Sequence, residues 1–356
     1  MKKFNFSAGP AVLPQSVIQK AAEAVIDYNG SGFSILEVSH RGKDFVADMD
    51  KAIASAKELI GISDEFEVLF LQGGASTQFF HAPFNLLNDD ETAGYINTGT
   101  WSKKAIKEAK LYGKVNVLAS SEESNFSFIP KGFEIPSDLK YVHYTSNNTI
   151  FGTQFHQLPD TEVKLVCDMS SDIFSRPIDI DKYDLIYAGA QKNMGPAGVT
   201  LVVVRKSALG KVKRAIPSMV DYRVHIENVS MFNTPPVFPT YVAMLTMDWI
   251  KDNGGLSAMA VRNEAKAKVL YDELDRNNLF TGHSAVEDRS IMNATFNAVN
   301  PDHEAPFLAI CKQEGLDGLK GHRSVGGFRA SIYNALEIEA TQKLAELMKD
   351  FEAKNG

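Results

Sequence analysis

The sequence predicts an α/β protein of three layers, with a large domain on a mainly parallel sheet and a smaller α+β domain at the C-terminus. Three observations predict it. Apolar strand-like runs alternate with helix-period runs from about residue 67 to 205, as in βαβ units whose sheet is covered on both faces. From about residue 280 short strands and helices follow without that alternation. The chain has 356 residues, 44% apolar and 23% charged, enough for one large core and a smaller second one. The expected boundaries are 15–255 for the large domain, with 1–14 and 256–356 forming the small one.

Residues 1–14 read as loop, punctuated by Ala8-Gly9-Pro10 and Pro14. Gln15–Asp27 has helical spacing (Val17, Ile18, Ala21, Val25) and stops at Asn29-Gly30. The irregular stretch GSGFSILEVSHRGKDF then presents His40 and Arg41 among apolar residues that suggest packing. A helix is expected over Phe45–Ile60, then a buried strand over Glu67–Leu71. That strand runs through Gln72-Gly73-Gly74-Ala75-Ser76-Thr77 into an apolar helix. Such a passage can cradle a phosphate on free N–H groups, with Ser76 and Thr77 adding donors, although it lacks the Walker lysine.

Next come a strand at Thr92–Asn97, a turn at Thr98–Trp101 and a helix at Ser102–Leu111. Strands are expected at Val115–Leu118, Tyr141–Tyr144, Val163–Cys167, Asp184–Ala190 and Val199–Val204. Met231–Pro239 reads as a rigid proline-rich crossing, followed by helices at Thr240–Asp252 and Leu256–Asp275. The C-terminal part should hold strands near Ile291–Phe296 and Phe328–Ile332, and helices near Ala305–Glu314 and Glu337–Lys354.

The net charge of −7, from 37 basic and 44 acidic residues, argues against a general nucleic-acid surface. Cationic clusters are therefore local and suit a small anion. Cys167 and Cys311 sit at apolar positions with no metal or redox spacing, as reduced core residues of a cytoplasmic protein do. MKKFNFSAGPAVLP lacks the apolar core of a signal peptide, and no run approaches about 18 apolar residues. A cytoplasmic protein without metal or membrane span is expected.

The chemistry centres on YDLIYAGAQKNMGPAGVTLVVVR, where Lys192 follows one strand and small residues precede the next. Sheets of this kind place ligands at strand ends, and the small neighbours let a bulky group approach the backbone. Asp168 ends another strand run. Each residue alone has an ordinary reading, a solvated lysine or a capping aspartate. Together they can hold opposite ends of one flat cofactor. Pyridoxal phosphate needs a covalent lysine and an acid for its ring nitrogen. Trp101, at a strand end, suits either packing or stacking on a ring.

NFSAGPAVLP, SHRGK, QGGAST, NTGTWS, SNNTI, CDMSSD, AGAQKNMGPAG, FNTPP and GHRSVGGFRASIYNA run from near the N-terminus to Ala335. Together they resemble the class V aminotransferases, fold-type I pyridoxal-phosphate enzymes, and within them the phosphoserine aminotransferase family. The resemblance implies that Lys192 is the Schiff-base lysine and Asp168 the partner of the ring nitrogen. Trp101 would lie over the ring and Thr149 near its substituents. Ala75, Ser76 and Gln191 would hold the cofactor phosphate, with Asn233 and Thr234 from a second subunit of a homodimer. His40, Arg41, His322 and Arg323 would receive the substrate phosphate or glutamate's distal carboxylate, and Arg329 its α-carboxylate. Ser76 stands where some members carry arginine, and Ala8 where some carry serine.

The implied reaction is transamination between L-glutamate and 3-phosphohydroxypyruvate, giving O-phospho-L-serine and 2-oxoglutarate, with 4-phosphohydroxy-L-threonine as a possible second substrate. Three rivals remain. A cysteine desulfurase needs a mobile reactive cysteine, which Cys311 at helical spacing does not offer. An alanine–glyoxylate transaminase gives no use for the four clustered cations. A phosphate-binding protein without catalysis needs neither Lys192 nor Asp168.

Overall fold

The computed structural model describes residues 2–356. The chain opens with a two-residue strand β1 (Phe4–Asn5) and helices α1 (Gln15–Ile26) and α2 (Lys43–Ile60). The main sheet is then laid down by β2 (Phe66–Leu71), α3 (Gly74–Leu86), β3 (Thr92–Asn97), α4 (Thr100–Ala109) and β4 (Lys114–Ser120). It continues with β5 (Val142–Thr145), a small hairpin of β6 (Asn147–Asn148) and β7 (Thr153–Gln154), and β8 (Leu165–Asp168). The sheet is completed by β9 (Tyr183–Gly189) and β10 (Thr200–Arg205). Its seven strands run in the order β2-β10-β9-β8-β5-β3-β4. Only β10 is antiparallel to its neighbours, so β2, β3, β5, β8 and β9 all end at one edge.

Strand alternation produces the three layers. Val68, Phe70, Ile186, Ala188, Leu201 and Val203 face a core shared with α1 and α2. Leu69, Leu71, Leu185, Tyr187, Val202 and Val204 face the opposite core, against α3 and α4. Helices α5 (Tyr222–Glu227), α6 (Val237–Asp252) and α7 (Gly255–Arg276) follow. Helix α6 starts earlier than the proline-rich text suggests, because Pro239 lies in its first turn, where a missing N–H costs nothing.

The remainder contains β11 (Phe280–Gly282), β12 (Asn293–Ala298), α8 (Glu304–Gln313), β13 (Leu316–Asp317), β14 (Phe328–Ser331) and α9 (Ile338–Asn355). Strands β11, β12 and β14 form an antiparallel sheet, while β1 pairs with β13. A separate core collects Phe4, Phe6, Leu270, Phe280, Phe296, Phe307, Phe328 and Phe351. Leu256 and Met259, at the start of α7, belong instead to the large core. Cys311 is buried in α8, and burial pushes its thiol up to about 12, away from the thiolate form that a reactive cysteine needs. No helix among the described residues is long and apolar enough to cross a membrane, and no metal-binding cluster occurs among them.

Candidate active site

The common edge of β2, β3, β5, β8 and β9 gathers the polar residues. Asp168 is the last residue of β8, in register with Thr145 of β5 and Tyr187 of β9. Its side chain is buried, and Oδ1 accepts from the Ser170 backbone N–H at 3.0 Å and the Ser170 hydroxyl at 2.6 Å. Burial pushes the carboxyl up, while Lys192 pulls it back towards ionisation. Both bonds use Oδ1, which leaves Oδ2 for a ligand.

Lys192 lies in the turn between β9 and β10, half-buried. Burial lowers its pKa, Asp168 opposes that shift, and the nearby Arg329 adds to it. A lysine so placed more readily presents a neutral amine. The N-terminal segment packs on this turn: the Ala11 N–H donates to the Gln191 carbonyl at 2.9 Å. A Cβ on Gly9 would come within 3.3 Å of Lys192 Cγ, and Gly9 has φ +143°, so no other residue fits there without strain.

The cradle is built by backbone. Gly73 and Gly74 have φ of +94° and +66°, and they turn the chain from β2 into α3. Gln191 reaches this helix end, since a Cβ on Gly189 would lie 2.8 Å from Gln191 Oε1 and 3.5 Å from the Ala75 nitrogen. Ser76 is exposed in the first turn. Thr77 does not add a donor as expected. Its hydroxyl donates to the Gly73 carbonyl at 2.8 Å, because a residue one turn along meets that carbonyl directly.

Trp101 projects from the first turn of α4, and its Nε1–H donates to Thr149 Oγ1 at 3.2 Å. Lys192 Nζ lies 5.5 Å from the Trp101 ring centre. Arg329, on β14, donates to the Thr149 carbonyl at 3.4 Å, and its buried Nε has no partner. Burial lowers the guanidinium pKa. An arginine without a carboxylate partner, beside a lysine, leaves charged donors free for an anion. His322 is half-buried, its pKa lowered by burial and then by Arg329 and Arg323, while Arg323 is exposed.

Lys192, Asp168, Trp101, Thr149, Arg329 and His322 thus come together in one chain. His40 and Arg41 sit in the loop between α1 and α2, and among the described residues they make no hydrogen bond with that group. His40 is half-buried with an unpartnered Nε2, and Arg41 is exposed. Asn233 donates to Gln72 Oε1 at 3.1 Å, and Gln72 donates to the Thr234 carbonyl at 3.0 Å, so both stand beside the strand that enters the cradle. Ser170 was not singled out in the sequence, although the serines of CDMSSD were a signal. Its hydroxyl also accepts from the Gly189 N–H at 3.0 Å and so ties Asp168 to the strand that leads to Lys192.

The group fits a flat anionic cofactor: open backbone donors at one end, a free carboxylate oxygen at the other, and an indole beside the lysine. The family model described as aminotransferase class-V matches residues 3–344. The chain is 58% identical to the phosphoserine aminotransferase of Flavobacterium johnsoniae, over 99% of this chain and 100% of that one. It superposes on the phosphoserine aminotransferase of Bacillus circulans subsp. alkalophilus with a TM-score of 0.96 at 44% identity, covering 100% of this chain and 99% of that one. A pyridoxal-phosphate-bound phosphoserine aminotransferase from Trichomonas vaginalis superposes with a TM-score of 0.93 at 40% identity, covering 98% and 100%. The chain therefore belongs to the class-V aminotransferases, among the phosphoserine aminotransferase family.

Proposed function

We propose that the chain transfers an amino group between L-glutamate and 3-phosphohydroxypyruvate, giving O-phospho-L-serine and 2-oxoglutarate, as a step of serine biosynthesis. 4-Phosphohydroxy-L-threonine is a second substrate. The observation that carries the reading is the convergence of Lys192 and Asp168, at one sheet edge, with Arg329 of the smaller sheet, which has no carboxylate partner. Pyridoxal phosphate is the cofactor, and when bound it supplies an electron sink for the bonding pair of the substrate's Cα–H. Asp168, with Oδ2 free, would hold the ring-nitrogen end and keep it protonated. Lys192 would hold the group, and its amine, whose pKa burial lowers, would move the proton at the substrate's Cα. Trp101 and Thr149 would hold the ring. The N–H groups of Ala75 and Ser76, with Gln191, bind the phosphate end.

Arg329 bonds both oxygens of the amino acid's α-carboxylate. His40, Arg41, His322 and Arg323 receive the substrate phosphate or glutamate's distal carboxylate. The protein works as a cytoplasmic homodimer in which Asn233 and Thr234 serve the partner's cofactor phosphate. A single-chain mass in solution contradicts that assembly. The division at 15–255, against 1–14 with 256–356, is proposed on the same footing, since Phe4 and Phe6 share a core with α9. Two charge-assisted hydrogen bonds of about 1.5–3 kcal/mol each set the preference for a phosphate. The kcat/KM for 3-phosphohydroxypyruvate should therefore exceed that for pyruvate or glyoxylate by at least about a hundredfold. Equal values for these acceptors contradict the phosphate assignment.

A further inference from the structure

Three consecutive backbone carbonyls, those of Ile173, Phe174 and Ser175, are each met by a different asparagine side chain. Asn193 donates to the Ile173 carbonyl at 3.2 Å. Asn334 donates to the Phe174 carbonyl at 2.8 Å. Asn263 donates to the Ser175 carbonyl at 3.3 Å. All six residues are buried. The asparagines also bond one another: the Asn334 N–H donates to Asn193 Oδ1 at 3.0 Å, and Asn263 donates to Asn334 Oδ1 at 2.7 Å. Each acceptor is a carbonyl, so each amide must present its NH2 group, and the set has one hydrogen-bonding solution. Phe174 has φ +58°, a left-handed conformation that a bulky residue holds only when its surroundings impose it.

The three asparagines come from elements that carry the reacting groups. Asn193 follows Lys192 directly, and Asn334 lies on the chain just beyond Arg329. The segment 173–175 follows Asp168 and leaves β8. Asn263 lies on α7, where Lys266, one turn on, is buried and donates to the carbonyls of Ile332 at 2.8 Å and Tyr333 at 2.5 Å. The chain segments bearing the lysine, the ring-nitrogen acid and the carboxylate-binding arginine therefore meet in one buried joint. Apolar packing could hold these segments together, but it would not fix their register as directional hydrogen bonds do.

We propose that Asn193, Asn334 and Asn263 are positioning residues that set the distance between Arg329 and Lys192, so that a carboxylate held by one presents its Cα to the other. The inference rests on the reading of Lys192 and Arg329 given above. It deepens that reading by naming what aligns them, since all three amides are engaged by protein groups. Loss of one amide lets the Phe174 turn relax and the two segments move independently. Binding of the carboxylate then survives while the approach to Lys192 degrades, which affects kcat more than KM.

The test uses the full-length holoenzyme. Asn334→Ala should lower kcat for glutamate about ten- to a hundredfold, as a displacement near 1 Å does, with KM changed less than about threefold. Asn263→Ala, further from the site, should lower kcat in the same direction by a smaller factor. Both should keep the visible absorption of bound cofactor. Hydrogen exchange of the wild type needs no substitution: saturating glutarate should slow the amides of 173–175, which lie in the joint, together with those of 193–195. Where Asn334→Ala does not fold, Asn263→Ala and the exchange measurement decide. Folded variants with wild-type kcat, or glutarate protection confined to the strand of Arg329, overturn the proposal. A wild type without cofactor absorption overturns instead the reading of Lys192, which separates the two failures.

Discussion

Burial pushes the Asp168 carboxyl up, because desolvation disfavours its charged form. Three groups oppose this: Lys192 by its charge, and Ser170 by a hydroxyl and a backbone N–H on Oδ1. The same hydroxyl accepts from the Gly189 N–H, so one serine stabilises the carboxylate and fixes its direction. A hydrogen bond to a charged group contributes about 1.5–3 kcal/mol. Ser170→Ala should therefore lower kcat and weaken cofactor binding, each by about tenfold or more, with the fold retained. Absorbance titration of the apoenzyme with pyridoxal phosphate, beside steady-state kinetics, reads both. Unchanged affinity and kcat would show that Ser170 only fills space.

At the scale of elements, the helices on the α3 face of the sheet carry groups whose ionisation is suppressed. His81, on α3, is buried and its imidazole is lowered to about 4, by desolvation first and then by His225. The unfolded chain binds a proton near pH 6.5 that the folded chain refuses down to about 4, so His81 costs stability as pH falls through that window. Wild type should lose up to about 1.4 kcal/mol more per pH unit than His81→Asn across the window. Urea unfolding at a series of pH values measures it, and parallel curves contradict it. His143 is lowered to about 3 by burial, but it is common to both proteins and cancels.

The main strands were legible because each is a buried apolar run, and their ends shifted by only one or two residues. Two-residue strands such as β1 and β13 carry no pattern of their own and exist only through their pairing with each other. Helix α5, of six residues, is too short to show a period. In the candidate site, the strand-end places of Lys192 and Asp168 were legible in the sequence. The three-asparagine joint and the tie from Ser170 to Gly189 were not, because those partners lie on other strands or far along the chain. Thr77 was misread for a local reason, since its hydroxyl is used within its own helix.

Across the whole molecule, two cores meet where the reaction is proposed to occur. The large core carries Asp168 and Lys192 at one sheet edge, and the smaller sheet supplies Arg329 from β14. The N-terminal segment joins both, with Phe4 and Phe6 in the small core and Gly9 against Lys192. Every role assigned to the surrounding residues depends on Lys192 carrying the cofactor. Borohydride reduction of the protein reconstituted with pyridoxal phosphate, followed by peptide mass mapping, tests this directly. The protein should be yellow and bleached by reduction, with the mass of the reduced cofactor on the peptide containing Lys192 and absent in Lys192→Ala. A colourless protein, or label on a different lysine, contradicts it.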